Sequence, residues 1–148
     1  MDLVTSLKNT SLLVGLSPNT YAELARIARR LHFEEGDTVY RIGDPALDVL
    51  VVAEGRVRFT IGVGNRPDSP GSIFGPGEAL GWAALIEDQP RRIATAVCME
   101  DSTLIALNGE QLLSMFERDT KAGYMVMRRL AKMIANDFLE QSAMLNSA

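Results

Sequence analysis

The sequence predicts a mainly β domain with flanking helices: a double-stranded β-helix, or jelly-roll barrel, with helices before it and a long helix after it. Three observations carry this. Helical spacing of apolar residues is confined to the two ends of the chain. Between them, short β-rich runs alternate with glycine-containing turns. The runs are regularly spaced, as in antiparallel barrels and jelly-rolls. At 148 residues the chain is of single-domain size. Its 47% hydrophobic and 23% charged residues lie in the ordinary globular range.

Residues 1–31 read as an N-terminal helical segment. Ser17 is placed to cap a helix and Pro18 suits its first turn. Tyr21, Leu24, Ala25, Ile27 and Ala28 follow at helical spacing, then Leu31. Leu12, Leu13, Val14 and Leu16 form an apolar patch ahead of the cap. Residues 32–107 read as the β-roll. Strands are expected at Thr38–Ile42, Val49–Ala53, Arg56–Ile61, Ile93–Met99 and Thr103–Leu107. Residues 62–76, rich in Gly, Pro, Ser, Asp and Asn, read as a long loop. Residues 108–146 turn helical again. Asn108 and Gln111 have the spacing of a capping box, and Asp119 or Thr120 can open a longer helix. In that helix Tyr124, Met127, Ala131, Ile134, Phe138, Gln141 and Leu145 recur at intervals of three and four. Such a heptad-like seam is expected to form a homodimer. The competing use of the stripe is packing on the barrel.

Charge and chemistry narrow the function. The net charge is −4, and the basic clusters are three pairs, Arg29-Arg30, Arg91-Arg92 and Arg128-Arg129. No basic stripe exists to replace phosphate counterions, so direct nucleic-acid binding is not expected. One cysteine, Cys98, precludes an intrachain disulfide and is read as a core residue. With no leader and no apolar run of membrane-spanning length, a cytoplasmic chain with no membrane partner is expected. His32 is the sole histidine and has no ligand-spaced Cys, His or carboxylate group around it, so no metal site is expected. Neither a Ser–His–Asp set nor a Gly-x-x-x-x-Gly-Lys loop is present, and the chain is read as not an enzyme. Asp37, Asp44 and Asp48 are read as turn residues.

The order of these segments resembles that of the cyclic-nucleotide-binding domains of catabolite activators, kinase regulatory subunits and gated channels. The resemblance is carried by residues 11–17 (SLLVGLS), 33–44 (FEEGDTVYRIGD), 54–57 (EGRV), 76–78 (PGE), 90–97 (PRRIATAV) and 100–102 (EDS). It covers nearly the whole chain. It implies a phosphate-binding cassette over residues 77–97, with Gly81, Trp82, Ala83, Ala84, Arg91, Arg92, Ile93 and Thr95 as the ligand-binding residues. A cyclic phosphate needs a cationic fork, which a guanidinium supplies, and backbone N–H groups at a glycine-flanked turn. Counting back from Thr95, the family pattern selects Arg92; counting forward from Gly81 favours Arg91. Arg92 is preferred because its strand is the firmer anchor. Neighbours on a strand point opposite ways, so only one of the two can enter the pocket. Where the family places a ribose-binding glutamate, this chain has Trp82, whose indole donates one hydrogen bond and accepts none. The implied ligand is a small anion, with cyclic AMP and cyclic GMP as the family's examples. No helix-turn-helix segment follows the last helix, so any output is expected to act in trans on a protein partner. The alternative is a ligand-free cassette serving a dimeric structural or interaction module.

Overall fold

The computed structural model describes residues 2–60, 72–86, 88 and 90–146, with side chains as far as Leu139. Two short helices come first. In α1 (Leu3–Lys8) the Asp2 carboxylate accepts the Thr5 N–H at 2.8 Å. In α2 (Pro18–Ile27) Ser17 Oγ accepts the Thr20 N–H, with Pro18 in the first turn. Eight strands follow among the described residues: β1 (Arg29–Phe33), β2 (Thr38–Tyr40), β3 (Asp48–Glu54), β4 (Val57–Thr60), β5 (Ser72–Phe74), β6 (Ala79–Leu80), β7 (Thr95–Cys98) and β8 (Ser102–Asn108). A 3-10 turn, Trp82–Leu85, interrupts them. The chain closes with α3 (Gly109–Arg118) and α4 (Thr120–Asn146). Asn108 accepts the Gln111 N–H at the start of α3, and Asp119 accepts the Ala122 N–H at the start of α4.

The strands form two antiparallel four-stranded sheets, in the orders β1-β8-β3-β6 and β2-β7-β4-β5. The central strands of the first sheet, β3 and β8, are buried on both faces. Leu104 and Ala106 of β8, with Leu50 and Val52 of β3, meet Val57, Phe59 and Ala96 of the opposite sheet. Ile105, Leu107, Val49 and Val51 face the helices and meet Leu24, Leu112, Val126 and Leu130. Burial on both faces explains why β3 and β8 read as continuous apolar runs, whereas β4 alternates.

Three segments depart from the sequence reading. The first helical segment was expected to reach residue 31, but α2 ends at Ile27 and Ala28 is extended. Residues 29–33 form β1 instead, with Arg29 opposite Ala106 and Leu31 opposite Leu104. Leu31 and Phe33 alternate inward between exposed Arg30 and His32, and two apolar residues are too few to fix a period. The loop expected over residues 62–76 contains β5, paired with Val57–Phe59, while residues 61–71 lie outside the described set. The two-residue strand β6, paired to Leu50 and Val51, gives no alternation long enough to read.

Each core cluster is expected to be needed. Leu104 and Ile105 are wholly buried on opposite faces of β8. Truncating either to Ala should lower the unfolding free energy by about 2–5 kcal/mol. Urea denaturation checks this. A loss below about 1 kcal/mol at Leu104 would contradict the two-sheet core.

Candidate functional site

The site is assembled where the two sheets meet α4. After β6, Gly81 turns the chain in the left-handed region, φ +81°, and opens the 3-10 turn Trp82–Leu85. Glycine is required there twice over. A β-carbon would be strained at that φ, and it would stand 2.6 Å from Arg92 Nη1 and 3.1 Å from the Asp48 carbonyl oxygen. Ala83, Ala84 and Leu85 are buried, and Ala84 lies against Gly109 at the head of α3.

Arg92 occupies the centre. Its backbone is held from both sides, its N–H donating to Asp44 O and its carbonyl accepting from Gly43 N–H. Its side chain is only 6% exposed. Nη1 donates to Gly81 O at 3.1 Å and Nη2 to Asp48 O at 2.7 Å. The guanidinium carbon lies 4.2 Å from the centroid of the Tyr40 ring, a stacked cation–π contact. Nε is buried with no hydrogen-bond partner among the described residues, and no carboxylate there lies within ion-pairing distance of this cation. Asp48, its neighbour, spends one carboxylate oxygen on Arg29 at 2.7 Å, while its other is buried and unpartnered. Burial pulls the Arg92 pKa down from its ordinary value, and the proximity of Tyr40, Asp48 and Asp44 opposes that pull.

Tyr40 forms the floor. Burial pushes its hydroxyl pKa up to about 12; the Arg92 charge works against the rise and Asp137 adds to it. Asp137 belongs to α4, and its Oδ2 accepts the Trp82 indole N–H at 3.1 Å. The carboxylate, the phenol, the guanidinium and the indole are thus contiguous, drawn from α4, β2, the approach to β7 and the cassette turn. Beside them a cleft of about 180 Å³ runs between β5, β6 and α4, lined in part by Ser72, Phe74, Glu78, Met133, Asn136 and Asp137.

The structure therefore sorts the sequence candidates. Gly81, Trp82, Ala83 and Arg92 come together here. Arg91 points out, exposed, with a 3.5 Å contact to Gly43 O, and Ile93 is also exposed. Thr95 Oγ1 accepts the Ile42 N–H and so secures the neighbouring turn. Ala84 faces α3. Asp37 and Asp44 bond the turns they belong to, through the Glu34 and Arg41 N–H groups. Asp48, expected in a turn, instead opens β3 and holds Arg92 through its carbonyl. Tyr40, Asp48 and Asp137 are site residues that sequence reasoning missed. Among the described residues there is no group of three side chains able to hold a metal ion, and no helix long and apolar enough to cross a membrane.

The seam residues lie on α4 as follows. Tyr124 and Phe138 are 64% and 69% exposed, Ala131 is exposed, and Met127 and Ile134 are half-buried. Ala122, Val126 and Leu130 are the fully buried stripe on the roll, and Met127 and Ile134 of the seam pack partly against the same core. The side chains of Gln141 and Leu145 lie outside the described set.

A jelly-roll with a glycine-opened turn, a buried arginine behind it and a long C-terminal helix bonded to that turn defines the class of domain to compare. Comparison with known proteins places it. The family model for the cyclic nucleotide-binding domain matches residues 30–119, and the chain belongs to that family. It is 31% identical over 136 residues to the cyclic AMP receptor protein of Thermus thermophilus, covering 90% of this chain and 62% of that protein. It is 37% identical over 86 residues to the acetyltransferase Pat of Mycolicibacterium smegmatis, covering 58% of this chain and 25% of that enzyme. The chain thus spans less than two thirds of the length of either curated relative. A cyclic nucleotide-binding domain from Methylobacillus flagellatus superposes with a TM-score of 0.77 at 19% identity, over 99% of this chain and 82% of that one, which shows the shared fold.

Two outcomes follow for the site. Because the folded-state Tyr40 pKa lies above its ordinary 10.0, the neutral phenol is favoured by folding. Its contribution is fully present below pH 10 and is lost as pH rises toward 12. Tyr40→Phe, which keeps the ring under Arg92, should remove that component, roughly 2–3 kcal/mol. Urea titrations of both proteins between pH 9 and 12 measure it; parallel losses would contradict a buried phenol. Gly81→Ala should destabilise by about 1–3 kcal/mol through the left-handed φ and the clash with Arg92. An unchanged denaturation midpoint would contradict the close approach.

Proposed function

We propose that the chain is a regulatory sensor module that takes a small anionic ligand between the cassette and α4, and that it is not itself a catalyst. One observation carries this reading. Arg92 is a buried guanidinium bonded only to neutral carbonyls, with its Nε unpartnered. Asp48 and Asp44 act on this cation from beyond ion-pairing distance; burying a cation with no carboxylate in direct contact is expensive, and an incoming anion lowers that cost directly. Arginine also gives a planar fork suited to a phosphate. Cyclic AMP and cyclic GMP are the first ligands to test, since a relative is a cyclic AMP receptor and the family model is that of the cyclic nucleotide-binding domain. Occupancy then acts through α4 on a partner or a second copy, provided the ligand binds one helix position better than another. The cytoplasm is the compartment in which such a module would work.

A second reading has its own observation. Both Nη groups of Arg92 already have acceptors, and the Trp82 indole is tied to α4, so the site is largely closed on itself. That favours a ligand-free cassette serving as a dimeric interaction module. Both readings share the dimer. The apolar residues Tyr124, Met127 and Ala131 border a groove with Leu113 and Phe116, of about 680 Å³.

Calorimetric titration with millimolar cyclic AMP and cyclic GMP separates the readings. The sensor reading predicts heat and a raised melting temperature with at least one nucleotide. Arg92→Met should weaken that binding by tenfold or more, about 1.4 kcal/mol or above. No heat and no thermal shift with either would remove the cyclic-nucleotide version. For the dimer, Phe138→Glu on the exposed face should halve the mass measured by light scattering, and an unchanged mass would contradict the seam.

A further inference from the structure

Among the described residues, two buried side-chain atoms have no hydrogen-bond partner, Arg92 Nε and Asp48 Oδ1. One is a donor and the other an acceptor. They belong to residues in direct contact, since Arg92 Nη2 donates to the Asp48 carbonyl at 2.7 Å. Asp48 shares a strand face with Leu50 and Val52, which point between the two sheets. The Tyr40 ring beneath Arg92 points into the same space. The Asp48 charge also acts on the Arg92 cation. The other Asp48 oxygen is held by Arg29 at 2.7 Å. An ion-paired carboxylate offers acceptors and no donor, so Oδ1 can be satisfied only by an incoming N–H or O–H. Leaving both atoms unmatched in the interior is costly. A group that satisfies the two together must present an acceptor and a donor side by side.

We propose that Arg92 and Asp48 together select a protonated oxyanion of the hydrogen-phosphate type, with Asp48 as the specificity-determining residue. Arg92 Nε–H donates to a charged phosphate oxygen, and the P–O–H group donates to Asp48 Oδ1. Both orphan atoms are then matched, and the cation gains a counter-charge. Sulfate has the same tetrahedral shape but no proton at neutral pH. It would set a bare oxygen against the Asp48 carboxylate, with no hydrogen between them. A phosphodiester has no P–O–H either and must bring its donor from elsewhere in the molecule. Both protein atoms are shut from solvent, so occupancy goes with a local opening of the site. The presence of an anion at Arg92 rests on the sensor reading above; its being a protonated one rests on Asp48.

Calorimetric titration at neutral pH compares inorganic phosphate with sulfate, both at millimolar concentration and matched ionic strength. The wild-type chain should bind phosphate about a hundredfold or more tightly than sulfate, because a site with a committed acceptor rejects the analogue that lacks the donor. Asp48→Asn, whose amide can donate to either anion, should bring the two affinities within about threefold of each other, the scale of one ordinary hydrogen bond. If that variant loses its melting transition, the wild-type comparison decides the selectivity by itself. Arg92→Met should lose the phosphate heat, and its persistence would place the anion elsewhere and overturn the proposal. Equal wild-type affinity for both anions, or a phosphate preference that survives Asp48→Asn, would overturn it while leaving an anion site at Arg92. Heat from neither anion would overturn it too, and would leave the sensor reading to the nucleotide titration.

Discussion

A charged guanidinium buried at the junction of two sheets is the constraint around which this domain is arranged. Arg92 is only 6% exposed, and a cation in that position must be surrounded by acceptors or π-density. The fold supplies both. Gly81 and Asp48 turn their carbonyls toward it, and Tyr40 lies beneath it at 4.2 Å. Each provider is itself constrained by that task. Residue 81 must be glycine because its backbone is left-handed and a β-carbon would strike Arg92. Tyr40 must stay neutral, which its burial ensures. Asp48 is held by Arg29 at the point where β3 begins. The cassette turn, two strands and the start of the sandwich are therefore tied to one side chain.

That arrangement also divides the domain into firmly and lightly packed parts. Strands β3 and β8 of the first sheet are buried on both faces, so they form a rigid frame between the sandwich and the helices. α3 and the first half of α4 are built into the frame by apolar side chains. The second half of α4 meets the roll through half-buried groups and through the Trp82–Asp137 bond. The packing of α4 on the roll is therefore densest in its first half.

Much of this was legible in the sequence because the signals were local. Ser17-Pro18, Asn108-Gln111 and Asp119 mark helix starts by their own cap chemistry. Buried strands β3 and β8 announced themselves as apolar runs. The resemblance gave the cassette as a unit, on Gly77, Gly81, the arginine pair and Thr95. What escaped was non-local. β1 looked helical because its partner, β8, lies more than sixty residues away. β5 and β6 are too short to show a period. Strand parity allowed only one of Arg91 and Arg92 to enter the pocket, but not which. Asp137 was hidden within a helix read only for its apolar seam, and Tyr40 within a strand read only for its alternation. Trp82 was read by what it lacks, a carboxylate; its indole N–H turned out to face a carboxylate from another element.

The central claim is that Arg92 is an anion-receiving centre and not a self-contained structural ion. Native mass spectrometry of the folded protein, equilibrated with the low-molecular-mass extract of the cells that make it, tests this most directly. The account predicts a discrete added mass from an anionic small molecule on the wild-type chain, absent from Arg92→Met that has kept its melting transition. A wild-type spectrum showing the bare chain mass alone, or the same adduct on both proteins, would contradict it.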